Sequence, residues 1–258
     1  MLRITTAILS LSLLVSAAAA VEDQSTAANK EFKSLVNEYE EAGGAGIFAK
    51  RFLKLAEKHR QDPVAMDALL WVISKVPNRP ESTQALRQLA KHHLDSEQLA
   101  EACASIVRVR STAAEDLLRV ALEKSPHKTV RAQACLHLAA LLEAQASVID
   151  QLKQQPELAP RVLQYYGQEY GKYLATRDAD KLSEQREQVY ERMLETFPDV
   201  KVQDIALGDV AEKALFRIRH LSVGKLAPET KGEDIHGQEF KLSDYRGRIV
   251  MLTFWGHW

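Results

Sequence analysis

Apolar positions along residues 26–222 recur at spacings of three and four rather than two, the pattern of helices that each bury one face. Ala, Leu, Glu, Lys, Gln and Arg dominate this stretch, and all of them accept a helical backbone at little cost. The pattern predicts helices over about 27–41, 45–60, 63–76, 80–93, 96–109, 112–124, 127–144, 157–174, 179–196 and 204–221. Pro63, Pro80, Pro126, Pro156 and Pro198 fall between these segments or at their starts, where a missing amide hydrogen matters least.

Three segments resemble one another: Ala65-Met-Asp-Ala-Leu-Leu, Ala100-Glu-Ala-Cys-Ala-Ser-Ile and Ala132-Gln-Ala-Cys-Leu-His-Leu, beginning 35 and 32 residues apart. Tetratricopeptide arrays repeat at about 34 residues, but their Trp, Gly and Tyr landmarks do not occur here in order. The run from Ser125 to Arg131 leading into Ala132 is more like the start of a HEAT-type helix. The expected fold is therefore mainly α, an irregular α-solenoid of TPR/HEAT-like helical repeats.

After Leu221 the pattern changes, with Gly224, Gly232, Gly237 and Gly247 arriving in quick succession. Gln238-Glu-Phe-Lys-Leu alternates and predicts a hairpin strand after a turn at Ile235-His236-Gly237. Ser243-Asp244-Tyr245-Arg246-Gly247 reads as a tight connection. Arg248-Ile-Val-Met-Leu-Thr-Phe-Trp255 is a nearly continuous apolar run, as expected of a strand buried on both faces. The predicted organisation is a leader over 1–20, a helical region over 21–222 and an α/β fragment over 223–258.

The leader is predicted from Met1-Leu2-Arg3, an apolar run from Ala7 to Val15, and the small residues Ala18-Ala19-Ala20. That run is shorter than the roughly 20 residues needed to span a bilayer, and Glu22-Asp23-Gln24 comes directly after it. A cleaved signal peptide is favoured over a retained anchor, with a periplasmic or secreted mature protein and no integral membrane span. With 34 basic and 35 acidic residues, the net charge of −1 offers no global field for nucleic acid.

Cys103 and Cys135 are the two cysteines, at matching positions of successive repeat units. A structural disulfide is allowed if the α-carbons come within about 7 Å; otherwise both are small core residues. Neither Ala-rich setting supplies the exposed, electropositive surroundings of a reactive thiol. His92 and His93 point to different helix faces and cannot share a metal, so no metal or cofactor site is predicted. Tyr165, Tyr166, Tyr170 and Tyr173 lie three to five apart, which more often makes a packed helix face than a ligand platform.

Three blocks near the C-terminal end carry a resemblance: Gly224-x-x-Ala227-Pro228-Glu229, then Gly237-x-x-Phe240-x-Leu242-Ser243-Asp244-Tyr245-Arg246-Gly247, then Phe254-Trp255-Gly256-His257-Trp258. In order and spacing they resemble the redoxin or TlpA-like branch of the thioredoxin superfamily. The layout behind a helical region is similar to exported bacterial redoxins, particularly those of planctomycetes. The resemblance implies an exported thiol-disulfide oxidoreductase whose partners are protein dithiols and disulfides. In that family a Cys-x-x-Cys comes next, so the chain is expected to be truncated before its catalytic residues, none of which is present. Trp255 and Trp258 would flank the missing dithiol, or else simply pack on the sheet. Peroxiredoxins place Pro and Thr or Ser before the peroxidatic cysteine, which Phe254 to Trp258 do not match. The alternative of another class is a helical-repeat module that binds a protein partner along its surface without enzymatic activity.

Overall fold

The computed structural model describes residues 27–253 and 255. The predicted leader, and Phe254 and Gly256 to Trp258, lie outside the described residues. The chain is mainly helical. Helix α1 covers 27–42, followed by α2 (Ala45–Lys58), α3 (Pro63–Lys75), α4 (Pro80–His92), α5 (Leu99–Ile106) and α6 (Thr112–Lys124). Then come α7 (Lys128–Gln154), α8 (Ala159–Tyr166), α9 (Gln168–Thr176), α10 (Ala179–Thr196) and α11 (Leu207–Phe216).

Local chemistry sets these boundaries. Gly43 and Gly44 take φ of 68° and 77°, a left-handed turn that separates α1 from α2. Asp62, Ser111 and Asp178 cap α3, α6 and α10, each accepting a hydrogen bond from a backbone amide of the first turn. Pro63 and Pro80 occupy first helical positions.

Helices pack mostly on neighbours one to three elements away. α2 lies on α3, α3 on α4, α4 on α6, α5 and α6 on α7, α7 on α10, and α10 on α11. At the first end of the stack the Phe52 ring lies 4.0 Å from that of Trp71, and Tyr39 meets Trp71 edge-on at 5.0 Å. α7 is central. Among the described residues it is the one helix long and apolar enough to cross a bilayer, and half of that window is buried against its neighbours. Its position in the core accounts for its apolar composition.

Three predicted boundaries need correction. α7 runs to Gln154 rather than ending near 144, because nothing breaks the helix before Pro156. The segment 157–174 is two helices, not one: Gly167 adopts φ 82° and ψ 160°, a backbone open to glycine, and turns α9 back beside α8. The helix predicted over 204–221 starts at Leu207, preceded by a hairpin of β1 (Lys201–Val202) and β2 (Ile205–Ala206). Gln203 and Asp204, both at positive φ, form its two-residue turn. The end of α11 relaxes into one π turn, Arg217–Leu221.

Among the described residues the buried cluster reaches from Ala28 to Ile218, and no member lies beyond that residue. The chain then forms a separate small hairpin, β3 (Lys231–Glu233) paired antiparallel with β4 (Glu239–Lys241), and a 3-10 turn at Leu242–Tyr245. The hairpin and the tight connection both match expectation. Residues 248–253 do not: they form no strand, and Ile249 and Met251 are fully or almost fully exposed. A strand buried on both faces needs sheet neighbours on both sides, and the described residues of this segment supply a single two-stranded hairpin.

Candidate functional site

The first two of the three blocks that carry the resemblance are held to one another. Leu242 donates its amide to Thr230 at 2.9 Å, and Ser243 donates its amide to Glu229 Oε1 at 3.0 Å. Hydrogen bonds from Ser243 hold the exposed Glu229 carboxyl below its usual range. Lys241 donates its amide to Asp244 Oδ2 at 2.9 Å, capping the 3-10 turn. Pro228-Glu229 is thereby tied across fourteen residues to Leu242-Ser243-Asp244.

At the hairpin tip, Asp234 Oδ1 accepts from the amides of His236 (2.8 Å) and Gln238 (2.9 Å), with Gly237 at φ 77° closing the turn. Phe240 covers Gly232, where an added Cβ would stand 3.0 Å from the ring. Trp255 is 86% exposed, so the described residues form no wall around it. Trp258, its expected companion at the site, lies outside the described residues.

Cys103 and Cys135 are free, buried thiols. They sit on α5 and α7, which pack together, but each Sγ has another neighbour. Cys103 points back to the Leu99 carbonyl at 3.2 Å, while Cys135 faces the Val189 carbonyl on α10 at 3.5 Å. Burial pushes both thiols up to about 12, the opposite of an activated nucleophile. No group of three or more His, Cys, Asp or Glu among the described residues could hold a metal ion. The His92 and His93 rings stand 6.5 Å apart and nearly perpendicular.

A built polar site in the helical region centres on Glu115, which motif and spacing do not single out. Glu115, on the buried side of α6, accepts Arg119 Nε at 2.9 Å and Nη2 at 2.7 Å on Oε1. Its Oε2 accepts Arg177 Nη1 at 2.8 Å, Tyr173 Oη at 3.1 Å and Gln145 Nε2 at 3.2 Å. Gln145 also donates to Tyr170 Oη at 3.1 Å, and Arg177 Nη2 donates to Gln185 at 2.9 Å. Burial pushes the Glu115 carboxyl up, but the hydrogen bonds from Arg119 and Arg177, the Arg177 charge and the Gln145 amide outweigh it and leave it below the usual value. Burial, then the Glu115 charge, drives the Tyr173 phenol up to about 12.

Each acceptor in this network has donors and each cation an oxygen, so it reads as a polar clamp joining α6, α7, α9 and α10. It leaves no group activated for chemistry. A signal for it is present in the pattern: Glu115 shares a helical stripe with Leu118 and Leu122, and Gln145 shares one with Leu138, Leu141, Leu142 and Ile149. A polar residue on an apolar stripe must find a partner inside.

Comparison with known proteins bears on the chain only in part. It is 47% identical over 38 residues to the thiol-disulfide oxidoreductase ResA of Geobacillus thermodenitrificans, and 50% identical over 38 residues to ResA of Geobacillus kaustophilus. The match takes in 15% of this chain and 22% of each relative, so the chain spans about a fifth of the length of the curated relatives it matches. No family model matches the chain, and no solved structure does.

Proposed function

We propose that the segment from Val223 onward is the front part of a thioredoxin-like domain of the redoxin or TlpA-like branch, carried behind a helical solenoid in an exported thiol-disulfide oxidoreductase. The observation that carries this reading is the short, high-identity match to two thiol-disulfide oxidoreductases, 38 residues being about the length of that segment. Two further features support it. The blocks at Pro228-Glu229 and Leu242-Ser243-Asp244 are linked by their own hydrogen bonds. The apolar core ends at Ile218, which gives the segment room to be a domain of its own. Export rests on the leader pattern of residues 1–20, and the planctomycete-like layout on the order of the parts alone.

Disulfide exchange needs a thiolate nucleophile and a second thiol to resolve the mixed disulfide. Cys103 and Cys135 are buried, far up in pKa and on separate helices, so they do not serve. The dithiol would instead come directly after Trp258, at the start of a helix whose amides and dipole favour the thiolate. Trp255 and Trp258 would stand beside it. Sequencing the coding DNA past the Trp258 codon tests this: a Cys-x-x-Cys, in frame or after a single-base shift, supports it, and its absence removes it.

A second reading, a partner-binding helical module, is favoured by one observation: among the described residues, the buried core cluster and the built polar clamp lie within the helical region. The two readings can hold together in one protein.

A further inference from the structure

Between the α3–α4 turn, the α5–α6 loop, α7 and the α8–α9 pair lies a cleft of about 400 Å³. That is within the range of pockets that hold small molecules, roughly 300–1,000 Å³. One side is apolar, from Leu141 and Val148 of α7. Another is aromatic, from Tyr165 and Tyr166 of α8, whose rings meet edge-on at 4.9 Å. Gln145 and Tyr170, hydrogen-bonded to each other at 3.1 Å and both buried, supply polar groups in the wall.

Charge in the cleft is one-sided. Arg108 and Arg110 line it, and among the described residues no Asp or Glu does. Arg110 lays its guanidinium over the Tyr165 ring, 3.7 Å from the centroid, and donates to the Tyr165 carbonyl. These contacts fix the fork in place without neutralising it: neither Arg108 nor Arg110 has a carboxylate partner among the described residues. Glu115, bonded to the wall residue Gln145, is already held by Arg119 and Arg177. A guanidinium preset by stacking, with an unpaired one beside it, is the arrangement that takes a carboxylate through a charge-assisted pair.

We propose that this cleft is a binding site for a terminal carboxylate borne on an apolar or aromatic body. Arg110 and Arg108 meet the carboxylate, Tyr165, Tyr166, Leu141 and Val148 cover the body, and the Tyr170 hydroxyl, held in place by Gln145, contacts a polar atom of the ligand. A free organic acid and the C-terminal residue of a peptide share this chemistry. The site is independent of the redox reading, since every group that forms it lies in the helical region.

The test is calorimetric titration of the full chain with N-acetyl-phenylalaninate, with N-acetyl-phenylalaninamide, and with an N-terminally capped octapeptide ending in a free phenylalanine carboxylate. Saturable binding of either acid, at least ~tenfold tighter than of the amide, is expected. Binding of the small acid alone identifies a free acid as the source, and binding of the peptide identifies a chain terminus. Arg110→Gln should weaken binding at least ~tenfold, and Arg108→Gln, at an exposed position where folding is not at stake, should weaken it severalfold. The proposal is overturned if neither acid saturates, if acid and amide bind alike, or if a folded Arg108→Gln, Arg110→Gln double variant binds as the parent does.

Discussion

Arg177 donates to Glu115 Oε2 at 2.8 Å across sixty-two residues of sequence, and both side chains are almost entirely withdrawn from water. An ion pair so placed is maintained only because its remaining donors and acceptors are also met, here by Arg119, Gln145, Tyr173 and Gln185.

Removing the carboxylate charge should leave two arginines facing a neutral group. Glu115→Gln is expected to lower unfolding stability by about 3 kcal/mol, read from the urea midpoint at neutral pH. An unchanged midpoint would mean that the clamp is not formed in solution.

The same residue gives stability a pH dependence. Its folded carboxyl lies below the ordinary 4.5, so the unfolded chain takes up the proton first as pH falls. The contribution is complete above that ordinary value and is lost as pH drops through the lower folded one. Urea midpoints measured from pH 6 to pH 3 should fall for the parent and fall less for Glu115→Gln. Exposed carboxylates such as Glu38 and Glu123, also lowered by arginines, contribute little to the slope.

Gly171 of α9 sits against Leu163 of α8, where an added Cβ would stand 3.1 Å from the Leu163 α-carbon. Backbone cannot move aside as a side-chain tip can. Gly171→Ala is expected to cost about 1–3 kcal/mol and to spread the helix pair that carries Tyr165 and Tyr170, despite the better helix propensity of alanine. A variant as stable as the parent would contradict the close approach.

Thiol reagents offer a check on the cysteines. The native chain should react negligibly at pH 7 and give two free thiols in denaturant, since both groups are buried and shifted up to about 12. No reactive thiol after unfolding would mean that the pair is bridged.

Most helices were legible because apolar positions spaced at three and four and well-placed prolines left few choices; α3 and α4 begin at Pro63 and Pro80 as expected. The hidden features depended on single residues or on distant ones. Gly167 splits a segment whose Tyr spacing looks continuous, and only its backbone angles reveal the break. The Gln203-Asp204 turn lacks the glycine that advertises such hairpins. Glu115 leaves only the trace of a polar residue on an apolar stripe, and its partners Gln145 and Arg177 come from elements far along the chain. In the segment after Val223, hairpin and turn arise from local bonding. The apolar run from Ile249 needs sheet neighbours that the described residues do not provide, and it remains exposed.

Those exposed residues bear on digestion. Trypsin should cut at Lys225, Lys231, Lys241, Arg246 and Arg248 well before any site within α2 to α7, because few buried contacts protect the segment. Equal resistance of both regions, monitored by mass spectrometry, would show that the segment packs far more firmly than its exposure implies.

The most direct measurement is dithiothreitol-driven insulin reduction, monitored by turbidity, for the 258-residue chain beside the chain extended through the reading frame beyond Trp258. The 258-residue chain should stay at background, and the extended chain should precipitate insulin and lose that activity when either cysteine of its Cys-x-x-Cys becomes serine. Reduction by the 258-residue chain, or none by the extended one, would contradict the assignment.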